Sequence, residues 1–116
     1  MAREFNPFAR GRRFEYRTRE FLRKSGWFVV RQPRSAFPDL IALRNGQILL
    51  VECKMGGRIS RNERRNIVKI RKAVNGTALM AFRKGNGIGM NSLSRSWKFD
   101  KPFQLPQFQE GIERSQ

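Results

Sequence analysis

The chain has 116 residues, of which 25 are Lys or Arg and 9 are Asp or Glu, giving a formal charge of +16. That length supports one small domain with a single core, and a field of that size points to a polyanionic partner, whose phosphates release counterions when basic side chains neutralise them. Because histidine is absent, Ser/His/Asp hydrolysis, Cys/His fingers and His-ligated zinc are excluded, and any metal must sit on oxygen ligands.

The single Cys53 cannot form an internal disulfide, and its place in an apolar run reads as a buried thiol in a reducing cytosol. No apolar run approaches the ~20 residues of a membrane helix. The opening "MAREFNPFARGRR" lacks the apolar stretch of a secretory signal, so the expected protein is soluble and unexported.

In chain order, "NPFARGRRFEYRTREFLRKSG" predicts a helix. Asn6 can cap it, Pro7 suits its first position, Phe14, Thr18, Phe21 and Leu22 recur on one face, Gly11 is a weak point and Gly26 fits the stop. "WFVVRQ" (27–32) predicts a strand, and "RQPRSAFP" a loop. "DLIALR" and "QILLVECK" follow as two strands joined by Asn45-Gly46, the dipeptide that best tolerates the two positive φ angles of a type I′ turn.

A second helix is predicted for "SRNERRNIVKIRKAVNG", with Ser60 and Glu63 as a capping box, Ile67, Ile70 and Val74 at helical spacing and Gly76 at its end. "TALMAFRK" (77–84) reads as a strand, "GNGIGMNS" as a mobile loop and "SRSWKFD" (94–100) as a last, more exposed strand. The expected fold is α/β in the order αβββαββ, a domain over residues 1–100 with a tail over 101–116 that is disordered or docks on a partner.

The hairpin carries an unusual placement of charge. A two-residue turn puts Arg44 opposite Gln47 and therefore Asp39 opposite Glu52, side chains on one face and Cβ atoms roughly 5 Å apart. Facing carboxylates beside the apolar pairs Ile41/Leu50 and Leu43/Ile48 destabilise a sheet unless something positive lies between them. Lys54, two residues past Glu52, shares that face. It can form an ion pair there, or a divalent cation can sit on Asp39, Glu52 and the backbone carbonyl of Cys53, a hard and incomplete oxygen set of the kind Mg²⁺ accepts while keeping waters. Glu15 borders the apolar face of the first helix, where it can reach the sheet or pair with Arg19 one turn on.

Pro38-Asp39 followed by Glu52-Cys53-Lys54 resembles the PD-(D/E)-x-K nuclease signature. "GRRFEYRTREFLRKSGWFVVR", with Glu15 early in a basic helix, is similar to the archaeal-type Holliday junction resolvases, also found in viruses. The resemblance covers residues 11 to 55. It implies a restriction-endonuclease-like mixed β-sheet flanked by helices, Asp39 and Glu52 as metal ligands, Lys54 as catalytic lysine, Glu15 as a catalytic first-helix glutamate acting on metal or water from the outer shell, and Ser35 as a serine near the active site. The loop "QPRSAFP" departs from the family, which is usually richer there in glycine and small residues.

The resemblance further implies a symmetric homodimer making paired nicks in a four-way junction with Mg²⁺, or with Mn²⁺ as substitute, in the cytoplasm near the nucleoid or in a host cytoplasm. Trp97, Phe99, Phe103, Leu105 and Phe108 offer an apolar dimer surface, with core packing the competing reading for the first two. Phosphate contacts are assigned to Arg10, Arg12, Arg13 and Arg17 on the first helix, to Arg34, and to Arg58, Arg61, Arg64, Arg65 and Lys69 at and along the second. Two alternatives stand beside the resolvase: a related nuclease acting on flaps or nicked duplex, and a non-catalytic basic nucleic-acid-binding protein.

Overall fold

The computed structural model describes residues 7–33 and 37–106. Helix α1 (Pro7–Lys24) leads into β1 (Phe28–Arg31), β2 (Leu40–Arg44) and β3 (Gln47–Cys53). Helix α2 (Arg61–Val74) follows, then β4 (Thr77–Lys84), β5 (Gly87–Ser92), a 3₁₀ turn (Trp97–Phe99) and β6 (Lys101–Pro102). The six strands form one sheet in chain order. Every pairing is antiparallel except β3 with β4, the pair that a helical crossover must join.

Strand alternation sends successive side chains to opposite faces, and each helix covers one face. Phe14 and Leu22 of α1 pack on Leu40, Ala42, Leu49, Val51, Leu79 and Ala81. Ile67 and Val68 of α2 pack on the other parity, Leu50, Ala78 and Met80. Leu79, wholly buried in β4, contributes about 2 kcal/mol by burial alone.

Local chemistry explains the elements. α1 runs without a break through Gly11 and ends where Trp27 N–H bonds to Leu22 O and Gly26 takes φ 95°. Asn45 (φ 47°) and Gly46 (φ 77°) both take positive φ, and Arg44 pairs with Gln47 as the turn requires. α2 opens on the expected capping box. Its left-handed residue is Asn75 (φ 53°) rather than Gly76, which instead makes room: a Cβ there would lie 2.9 Å from the Ile48 carbonyl oxygen.

Three expectations after β4 are corrected. "GNGIGMNS" is not a loop, because Gly87–Ser92 form β5 on β4 behind a turn at Gly85 (φ 59°). Residues 94–100 are not a strand. Asp100 accepts from Ser94 N–H, Ser96 caps the 3₁₀ turn, and these short polar side chains capture the backbone locally. Nor does the fold stop at residue 100: Lys101 and Pro102 pair with β5, Phe103 N–H bonds to Met90 O, and Phe103 and Leu105 pack against the core. The order is therefore αβββαβββ. Among the described residues no helix is long and apolar enough to cross a membrane.

Candidate metal and phosphodiester site

Asp39, Glu52 and Lys54 gather where β2 begins and β3 ends, the open end of the hairpin. The β2–β3 ladder ends at Leu40 with Val51, and the next residues, Asp39 and Glu52, meet through the Glu52 side chain. Asp39 N–H donates to Glu52 Oε1 (3.1 Å), and Cys53 N–H donates to Asp39 Oδ2 (2.9 Å). In an extended strand the N–H and C=O of one residue point the same way, so the Cys53 carbonyl lies on the β3 edge that faces Asp39.

Glu52 is only 4% exposed. Burial pushes its carboxyl well above the usual carboxylate range, and the neighbouring Asp39 pushes it further. The pair is short of positive charge. Lys54 does not make up the deficit: its ammonium is 3.7 Å from Glu52 Oε2 but 2.6 Å from Glu63 Oε2. Burial acts to lower the Lys54 pKa, but Glu63 first, then Glu52 and Asp39, outweigh it and hold it above its ordinary value. Lys54 therefore stays charged, which suits it to orient groups and stabilise negative charge and makes it a poor base.

Glu63 is the residue that sequence reasoning missed. The spacing Ser60-x-x-Glu63 signalled a cap, and Glu63 does reach back to Ser60 N–H (3.1 Å). Its second role, gripping Lys54, depends on α2 crossing over the end of β3. Burial works to raise Glu63, but Lys54 and the Ser60 contacts prevail and hold it at about 2.

Glu15 does not join the carboxylate pair. Its partner is Arg31, whose Nε donates to Glu15 Oε1 at 2.8 Å, and not Arg19, which stacks over Tyr16. Arg31 pairs with Leu40, the neighbour of Asp39. The Cys53 thiol, raised by burial and then by Asp39, also feels Glu15 and Glu52, so Glu15 stands within electrostatic reach on the α1 side. Among the described residues no three Asp, Glu or Cys side chains are grouped closely enough to hold a metal. Two carboxylates, a carbonyl and waters remain a fitting set for a hard divalent cation, whose charge would let Glu52 give up the proton that burial and Asp39 make it hold.

Arg34 and Ser35 lie outside the described residues, as does Phe108. The two sets of basic residues are separated: α1, with Arg10, Arg12, Arg13 and Arg17, covers one face of the sheet, and α2, with Arg61, Arg64, Arg65 and Lys69, covers the other. Within these sets Arg17 donates to Asn86 O and Arg64 pairs with Asp100.

A family model described as archaeal Holliday junction resolvase (hjc) matches residues 6–114. The chain belongs to that family. The crossover junction endodeoxyribonuclease Hjc of Methanocaldococcus jannaschii is 39% identical over 49 residues, 42% of this chain, and the aligned stretch spans only 37% of that protein. The solved structure of Archaeoglobus fulgidus Hjc, a Holliday junction resolvase, superposes with a TM-score of 0.62 at 19% identity over 82% of this chain and 84% of that one. This shared fold accords with a restriction-endonuclease-like sheet flanked by helices.

Proposed function

We propose that the chain is a divalent-metal-dependent endonuclease that resolves four-way DNA junctions by paired nicks. The observation that carries this reading is the Asp39–Glu52 pair, two acidic side chains held together in a buried place where Asp39 and burial raise the Glu52 carboxyl, in a member of a resolvase family.

Asp39, Glu52 and the Cys53 carbonyl would hold the ion, Mg²⁺ with Mn²⁺ as substitute, which when bound supplies a water of lowered pKa and shields the phosphate oxygens. Lys54, kept protonated, places positive charge beside the scissile phosphate and orients the attacking water. Glu15 acts from the outer shell on the α1 side. The exposed arginines of α2, on the face shared with Glu52 and Lys54, contact phosphates and position DNA without reading sequence. Ser35 keeps the role that the resemblance implies and Arg34 a phosphate contact, and the domain of residues 1–100, with the 101–105 segment packed on it, acts as one nuclease domain in the cytoplasm.

Paired nicks on opposite strands require two sites, so a homodimer is part of the proposal. The apolar surface suggested for it needs revision, since Phe103 and Leu105 pack inward against the core. Sedimentation at micromolar concentration should give twice the chain mass; a monomer would remove the dimer.

The function is tested by offering a labelled four-way junction, a flap, a nicked duplex and a linear duplex to the protein with Mg²⁺. Symmetric nicks at the junction's branch, with little cleavage of the other three, are expected. Preference for flaps or nicks would make it a different nuclease of the same fold, and binding without cleavage in either metal would leave a non-catalytic DNA-binding protein.

A further inference from the structure

Trp97 is 71% exposed, and its indole offers a large flat apolar face with a polar N–H edge. It sits on the 3₁₀ turn at the lip of a groove of ≈ 800 Å³. Its lining includes Gly57 and Arg58 from the loop that follows Lys54, Arg61 and Arg64 on the first turn of α2, and Arg95 beside Trp97 in sequence. Arg58, Arg61 and Arg95 are exposed. The one acid lining it, Asp100, is occupied by Arg64 through two bonds of 2.7 and 2.8 Å. A second basic groove along the outside of α2, with Arg65, Lys69 and Lys72, shares Arg61, Arg64 and Arg95 with the first.

The turn is fixed in place. Asp100 takes Arg64 on one side and Ser94 N–H on the other, Ser96 caps the turn, and Lys101–Pro102 pair with β5 immediately after it. Trp97 is thus a flat aromatic surface on a rigid mount, lining one groove with Arg58, Arg61 and Arg95. A second copy of the chain is a poor occupant, because it would bring the same arginines against their own kind. A polyanion with flat apolar faces is the complementary one.

We infer that Trp97 is a stacking platform for an unpaired or unstacked DNA base, with Arg58, Arg61 and Arg95 holding the phosphates of the same strand. Aromatic stacking on a base tolerates any sequence and cannot occur with bases inside intact duplex. It therefore selects DNA with opened bases, which is what a branch point presents. This inference rests on the proposal that branched DNA is the substrate, and it names the residue that distinguishes such DNA from plain duplex.

The chain has two tryptophans, and Trp27 is buried, so Trp97 reports its own contact. In the cleavage-blocked Asp39→Asn background, adding oligothymidylate or a four-way junction is expected to quench tryptophan fluorescence, and Trp97→Phe should abolish the quenching while keeping affinity near the parent's. Trp97→Ala should weaken binding of both ligands roughly 5- to 100-fold and leave linear duplex affinity unchanged. Phe99 is 69% exposed on the same turn but outside the groove lining, and Phe99→Ala should change neither. Equal loss on duplex, equal loss in Phe99→Ala, absence of quenching, or conversion of a dimer to a monomer by Trp97→Ala would each overturn the inference. Because these are binding measurements, failure of the wild type to cut junctions would remove the proposed function while leaving the stacking result to stand or fall alone.

Discussion

Lys54 lies closer to Glu63, at 2.6 Å, than to Glu52, at 3.7 Å, so a helix-capping residue also sets where the Lys54 ammonium points. Lys54→Ala is expected to slow junction cleavage about 100-fold or more, the usual loss for one stabilising group. Glu63→Gln keeps the reach-back bond that a capping box needs, so it should cost less than about 1 kcal/mol of stability. It should nevertheless slow single-turnover cleavage several-fold. Thermal unfolding and cleavage measured on the same variants separate the roles, since a merely structural Glu63 would lose both together or neither.

The buried Glu52 predicts an unusual stability profile. Its carboxyl holds its proton more tightly in the folded chain than in the unfolded one, so metal-free stability falls as pH rises above the ordinary value of 4.5. At pH 8 without divalent ions, Glu52→Gln should be more stable than wild type, by on the order of 1–3 kcal/mol. At pH 4 the two should match. Adding Mg²⁺ or Mn²⁺ at pH 8 should raise the Tm of the wild type only. Equal metal-free stability at pH 8 would mean that the carboxylate pair is already neutralised within the chain.

Glu15 offers a sharper separation of roles. Its pair with the half-exposed Arg31 is a surface contact worth little, so Glu15→Gln should change stability by less than about 0.5 kcal/mol. If Glu15 orients groups in the outer shell, the same change should lower cleavage about 10- to 100-fold. Wild-type cleavage by the variant would assign Glu15 to the surface.

Gly76→Ala should destabilise the fold by about 1–3 kcal/mol, because the new methyl meets backbone rather than a side chain that can turn away. Denaturant unfolding at unchanged m-value is the check, and no loss would mean that β3 yields there.

That glycine also marks the limit of what the sequence discloses. Both helices, the Asn45-Gly46 turn and the facing of Asp39 with Glu52 were legible, because each follows from local chemistry and strand parity. By its spacing Gly76 suits the helix stop, but the stop is Asn75, and the need for glycine comes from β3 across the sheet. β5 was hidden for a related reason. Its glycines argue against a strand, yet a Cβ on Gly89 would lie 2.6 Å from the Phe82 ring, so the strand uses glycine to let its neighbour's aromatic side chain lie over it. Trp97 and Phe99 alternate as in a strand, but local bonds from Ser94, Ser96 and Asp100 turn the chain instead. The grip of Glu63 on Lys54 needed α2 placed over the sheet before it could be seen.

The most direct test of the central claim is cleavage of an end-labelled immobile four-way junction in Mg²⁺ by wild type, Asp39→Asn and Glu52→Gln, with junction affinity measured alongside. Paired symmetric nicks by the wild type, lost in both variants at unchanged affinity, are predicted. Nicks that persist in either variant would contradict the assignment of Asp39 and Glu52 as the metal-holding pair.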